Sequence, residues 1–326
     1  MKAWRWWVAG ISGLMPAVAL AAPLNVAVSI MPEKWLVERI GGDEVDVSVL
    51  VKAGMEPHDY SPSPRQLAEL TREQLYFAIG VPFEQVWLPR LREHAPDMEV
   101  VKLQQGLELR QIEAHVEHEA EGDEAAGGEA QHAHDHDHDH DHDHDHDHDH
   151  GHGHGHGHDH GGADPHVWLD PHNMILMAKR VADSLAERLP EQRDAIRQRE
   201  QALVQQLQAL DAQIARQLKP WAGATFMVYH PAFGYFADRY QLQQLPIELS
   251  GSEPGVRSLG RLIDRAKAHD IHAIFVQQQF SQQTADRLSQ ALNARIIPLD
   301  PLAEDYPANL RAMADALASG FEQGND

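Results

Sequence analysis

The chain has 326 residues, with 50 Asp and Glu against 27 Lys and Arg for a formal net charge of −23, and it contains no cysteine. That composition excludes disulfides, thiolate ligands and lipid attachment through a cysteine, and the acidic balance offers nucleic acid no basic patch. Without thiolates, His, Asp, Glu and water are the expected ligands of any metal site.

At the N-terminus, Lys2 and Arg5 precede an apolar stretch, Trp6 to Leu20, and Ala19-Leu20-Ala21 has the small-x-small pattern of a cleavage site. This predicts a signal peptide over residues 1–21 and export of the remainder. The apolar run is short for a span of about 20 residues and contains Pro16, which disfavours an uncleaved anchor.

The next elements alternate. Leu24 to Ile30 and Val45 to Val51 read as strands rich in β-branched residues, separated by a helical stretch, Lys34 to Ile40, that ends at Gly41-Gly42. A helical run to Arg72, a strand Leu75 to Ile79, a helix around Glu84 to Glu93 and a strand at Val100 to Leu103 complete a first lobe. Strands alternating with helices predict parallel pairing and right-handed crossovers.

Composition then changes abruptly. The segment from Glu113 to Asp164 holds 17 of the acidic residues and no Lys or Arg, and from His132 to His160 a histidine stands at every even-numbered position, fifteen in all. With almost no apolar side chain it cannot bury a core, so a disordered loop is predicted over 113–163. Imidazoles interleaved with carboxylates suit zinc, copper, nickel or cobalt. They supply many interchangeable ligand sets and no fixed geometry.

Order is predicted to resume at Asp164-Pro165-His166. Asp170-Pro171 reads as an N-cap followed by Pro at the first helical position, opening a helix to about Leu189. A second helix begins at Pro190 and occupies 190–219. Its residues Leu203, Val204, Leu207, Leu210, Ile214 and Leu218 keep a spacing of three to four over a rod of about 40 Å. The apolar seam lasts only about two and a half heptads, short for a coiled-coil dimer. The chain is therefore read as a monomer in which this helix joins the first lobe, 22–189, to a second, 220–326. In that second lobe Ala224 to Tyr229, Leu245 to Leu249, Ile271 to Val276 and Ala294 to Leu299 read as strands. Helices are predicted around Phe233 to Tyr240, Ser258 to Ala268, Gln282 to Leu292 and Ala308 to Phe321. The fold class is α/β, with two Rossmann-like lobes, and ligands of such sheets lie beyond the carboxyl ends of the strands.

Four residues stand at such ends or loop edges: His58, His166, His230 and Asp300. Three imidazoles and a carboxylate suit tetrahedral Zn²⁺. Taken singly, each also reads as an ordinary hydrogen-bonded surface residue.

The segments Gly54-Met55-Glu56-Pro57-His58-Asp59-Tyr60, Asp164-Pro165-His166-Val167-Trp168-Leu169-Asp170-Pro171 and His230-Pro231-Ala232-Phe233-Gly234-Tyr235-Phe236-Ala237 resemble the metal-site motifs of the ZnuA-type periplasmic zinc-binding proteins. These are the substrate-binding components of metal ABC transporters. The resemblance extends over nearly the whole chain after residue 21, including the histidine-rich insertion and the long helix.

It implies a two-lobed, non-enzymatic protein of the periplasm with Zn²⁺ in the interlobe cleft. Delivery would be to a membrane permease and its ATPase, with a periplasmic zinc chaperone as a further partner. It implies His58, His166 and His230 as ligands and Asp300 as the fourth, with Glu56 or water as the alternatives at that corner. Manganese-specific relatives resemble this pattern with Glu where His230 stands, and imidazole favours zinc. The rival readings are a zinc buffer or chaperone working through the histidine ladder, and a manganese or broad-specificity importer component. No His-Glu-x-x-His run supports a zinc hydrolase.

Overall fold

In the computed structural model, residues 22–112, 162–248, 252–280 and 282–322 are described. The predicted signal peptide and the histidine ladder lie outside these residues.

The β-branched and aromatic runs of the first lobe form β1 (Leu24–Val28), β2 (Val45–Val49), β3 (Leu75–Ala78) and β4 (Glu99–Lys102). They make one parallel sheet in the order β2-β1-β3-β4. The second lobe repeats the plan with β5 (Thr225–Val228), β6 (Gln243–Pro246), β7 (Ala273–Val276) and β8 (Arg295–Pro298), ordered β6-β5-β7-β8 and again parallel. The central strands β3 and β7 are buried at every position, as parallel strands covered on both faces must be. In each sheet the chain steps to one side of its first strand and then to the other. That reversal opens a crevice at the carboxyl edge.

Helices α1 (Met31–Gly41), α2 (Pro64–Leu70) and α3 (Pro82–His94) serve the first sheet. Gly42 ends α1 in the left-handed region at φ 63°, where a side chain would be strained. Asp170 caps α4 (Pro171–Arg188), its carboxylate accepting the His172 N–H at 2.7 Å. The predicted cap is therefore present.

The long helix differs from expectation at its start. Pro190–Gln192 is a single 3-10 turn, with the Gln192 N–H donating to Leu189 O at 2.9 Å, and α5 runs from Arg193 to Leu218. Its buried residues, among them Leu203, Leu207, Leu210 and Ile214, pack on α1 and α4 of the first lobe and on α9 (Tyr306–Glu322) from the end of the chain. The apolar seam is thus occupied within the chain rather than by a coiled-coil partner. The main apolar core runs from the first sheet through α5 and α9 to the near face of the second sheet. Helix α6 (Gly234–Arg239) follows β5, and a smaller core, including Met227, Ile274, Leu262 and Leu288, lies between that sheet's far face and helices α7 (Val256–Ala268) and α8 (Gln282–Leu292).

One strand is displaced from its predicted position. Leu245 to Leu249 is the apolar run, yet β6 begins at Gln243. It is an edge strand paired only to β5, and edges tolerate Gln and Pro. The pairing continues past β6, with the Ile247 N–H donating to Val228 O at 2.8 Å and the Glu248 N–H to Tyr229 O at 3.0 Å. This carries Glu248 to the carboxyl edge beside His230. No helix of the described residues is long and apolar enough to cross a membrane.

Candidate metal centre

Each histidine arrives on a different piece of backbone. His58 lies in the loop after β2, and its N–H donates to Glu56 Oε1 at 3.1 Å. His166 stands where the chain returns from the insertion. There an antiparallel bridge joins Gln111 to Ala163, and the Asp164 N–H donates to Arg110 O at 2.8 Å, so the chain leaves and re-enters the lobe at one place. His230 follows β5 directly. Gln277, just past β7, grips its backbone in both directions, accepting the His230 N–H at 3.3 Å and donating to its carbonyl at 3.1 Å.

The three rings converge. His58 Nε2 is 3.3 Å from His166 Nε2 and 3.2 Å from His230 Nε2, and one nitrogen from each ring lies within 4.8 Å of the others. A tetrahedral ion with metal–nitrogen bonds of 2.0–2.1 Å sets its ligand nitrogens about 3.3–3.4 Å apart. The observed separations match that edge.

The outward nitrogens explain why the inward ones are free to coordinate. Asp164 Oδ1 is 2.7 Å from His166 Nδ1, and Glu248 Oε2 is 3.1 Å from His230 Nδ1. A carboxylate facing Nδ1 holds the proton there and leaves the Nε2 lone pair pointing into the cluster. For His58, burial and then the two neighbouring imidazoles lower the pKa to about 2, so the ring is neutral, the form that can coordinate a metal. Burial raises the pKa of Glu56, whose Oε1 is 3.9 Å from His58 Nε2. A cation between the rings would oppose that shift.

Asp300 is not brought into the group. Its carboxylate accepts the Leu302 N–H at 2.8 Å and its carbonyl accepts Asn309 Nδ2 at 2.6 Å. Asp at the start of a turn satisfies backbone donors two residues on, and that local bond turns Asp300 to the loop after β8. Glu56, by contrast, lines the cavity with Val81, Trp168, Gln279, Phe280 and Leu302.

Several contributors were not singled out in the sequence. Glu248 lay hidden inside an apolar strand run. Gln277 and Phe280 lie in an unmarked loop, and the Phe280 ring stacks on His230 at 5.1 Å and 17°. The Trp168 ring is 5.2 Å from that of His166. It also ties the lobes together: its indole N–H donates to Pro301 O and its own carbonyl accepts the Tyr306 hydroxyl, both at 2.8 Å. The Tyr235 hydroxyl from the second lobe donates to Asp164 O at 3.0 Å. The triad therefore sits on the seam between the two sheets.

Residues 26–320 match the family model described as zinc-uptake complex component A, periplasmic, or ZnuA. The chain belongs to this family. Within the ZnuA family it is similar to the zinc-binding lipoprotein AdcA of Streptococcus pneumoniae, with 29% identity over 281 residues, or 86% of this chain and 50% of that protein. The chain thus spans about half the length of AdcA. The high-affinity zinc uptake system protein ZnuA of Bacillus subtilis is 27% identical over 86% of this chain and 78% of its own length. Among solved structures, a crystal structure of ZnuA superposes with a TM-score of 0.75 at 33% identity, covering 91% of this chain and 99% of that one. A zinc-bound ZnuA deletion mutant superposes with a TM-score of 0.74 at 32% identity, covering 91% of this chain and 98% of its own.

Proposed function

We propose that this ZnuA-family chain is an exported zinc-binding protein that captures Zn²⁺ in the periplasm and delivers it to the membrane permease of an ABC importer powered by a separate ATPase. The observation that carries the reading is the convergence of His58, His166 and His230 Nε2 at the spacing of a tetrahedral zinc shell, with carboxylates behind two of the rings. Those three residues are the ligands. Glu56 is the carboxylate beside them and offsets part of the ion's charge.

The protein binds rather than catalyses. The ion is its cargo, held on a seam whose two halves come from separate sheets, so relative movement of the lobes separates His230 from His58 and His166. Protonation of the ligands also favours release, because imidazole must be neutral to bind. The histidine ladder is an accessory collector in this reading.

The test is zinc titration of protein lacking residues 115–162, against the same protein carrying His58→Ala or His230→Ala. One tight equivalent is expected in the first and none in the others. Loss of tight binding on deletion, with retention in the histidine variants, would place the site in the ladder and favour a buffer.

A further inference from the structure

Three imidazoles occupy three corners of a tetrahedron and leave one. The carboxylates nearby do not occupy it: Asp300 is turned to its own loop, and neither it nor Glu56 belongs to the set of donor atoms within 4.8 Å of one another. The loop leaving β7 offers a different group. Gln277 to Phe280 is a tight turn, closed by the Phe280 N–H donating to Gln277 O at 3.2 Å. Gln277 grips the His230 backbone and Phe280 covers the His230 ring, so both ends of the turn are fixed on that ligand. Between them, Gln279 lines the cavity that holds the triad. Its side-chain oxygen Oε1 is buried, and no donor of the described residues reaches it. A buried carbonyl oxygen is ordinarily hydrogen-bonded, and an orphan in a ligand cavity marks a contact that the ligand supplies.

We propose that Gln279 is the fourth ligand of the zinc site, its side-chain carbonyl oxygen completing the shell of His58, His166 and His230. The inference rests on the triad being the metal site. An amide oxygen is neutral and a weaker donor than a carboxylate. It would close the shell against water while leaving one corner easy to vacate, as a protein that must surrender its ion requires. Glu56 then acts from outside the shell.

The experiment uses the full chain and its Gln279→Leu, Gln279→Glu, Glu56→Gln and His230→Ala variants. Three quantities are read: affinity of the tightest zinc equivalent by chelator competition, melting temperature of metal-stripped protein, and visible absorption of Co²⁺ added below one equivalent between pH 6 and 9. Gln279→Leu should weaken zinc by about 10- to 100-fold, the range for lost support at a metal site. It should leave the metal-stripped melting temperature unchanged, because Oε1 has no protein partner to lose. Water would enter its fourth corner, and metal-bound water ionises near neutral pH. The Co²⁺ spectrum of Gln279→Leu should therefore titrate with pH while that of the parent does not. Gln279→Glu, which keeps an oxygen donor, should retain tight binding.

A parent spectrum that already titrates would show water at the corner and overturn the assignment. So would Gln279→Leu binding zinc like the parent while Glu56→Gln does not. If His230→Ala also bound like the parent, the failure would lie with the triad reading itself.

Discussion

Glu248 reaches the site only because the edge pairing of the second sheet continues two residues beyond β6, and its replacement tests whether that extension matters. Its carboxylate is 3.1 Å from His230 Nδ1, and the residue is buried. Glu248→Leu removes the acceptor and the charge while keeping similar bulk. A hydrogen bond to a charged group contributes about 1.5–3 kcal/mol. At 1.4 kcal/mol per factor of ten, its loss predicts a zinc affinity lower by roughly 10- to 150-fold. Glu248→Gln retains an acceptor for Nδ1–H and loses only the charge, so its loss should be smaller, about tenfold or less. Competition against a chromogenic chelator gives the affinities, and melting of metal-stripped protein confirms that each variant is folded. If folded Glu248→Leu bound zinc within a factor of two of the parent, orientation of His230 by this carboxylate would be refuted.

Other consequences follow from the seam and from the buried acids of the first lobe. Glu84 accepts the N–H groups of Ile79 at 3.0 Å and Gly80 at 2.8 Å together with the Ser29 hydroxyl, and burial raises its pKa from 4.5 to about 7. Burial and then the Glu84 charge raise that of Glu33 as well. An acid that keeps its proton in the folded state but loses it on unfolding makes stability fall as pH rises from 4.5 to about 7 and level off above. Urea melts of metal-stripped protein should show a fall of a few kcal/mol across that window, and Glu84→Gln should reduce it, leaving the part that Glu33 contributes. A parent whose stability rises over the same range would contradict the buried neutral acid. Trp168→Phe removes the indole N–H to Pro301 across the seam, about 1 kcal/mol. Its melting temperature should drop by about 2–4 °C, and an unchanged value would show that this bond does not hold the lobes together. Asp170→Ala deletes the cap of α4 and should cost about 1 kcal/mol in denaturant melts, with zinc affinity preserved.

Much of this was legible along the chain because it is local. The apolar runs of β1, β3 and β7, the seam of α5, the Asp170-Pro171 cap and Gly42 at the end of α1 all follow from spacing, propensity and allowed backbone angles between near neighbours. The resemblance of the His58, His166 and His230 segments to zinc-site motifs pointed to these three histidines, which lie too far apart for spacing to join. Asp300 shows the limit of that reading. It has the right chemistry at a strand end, yet it is not among the donors that converge, and its Oδ1 accepts the Leu302 N–H two residues away.

The elements, the two-lobed α/β plan and the supply of imidazole and carboxylate without thiol are readable along the chain, since each depends on composition or on short periodic patterns. The tertiary structure supplied the meeting of His58, His166 and His230, because two sheets closing on a shared seam bring His58 Nε2 to 3.3 Å from His166 Nε2 and 3.2 Å from His230 Nε2. It also decided their support. Glu248 and Phe280 reach the His230 ring, Gln277 holds its backbone and Gln279 lines the cavity, all from strands and turns remote in sequence, and contacts of that range depend on where whole elements pack rather than on any local pattern.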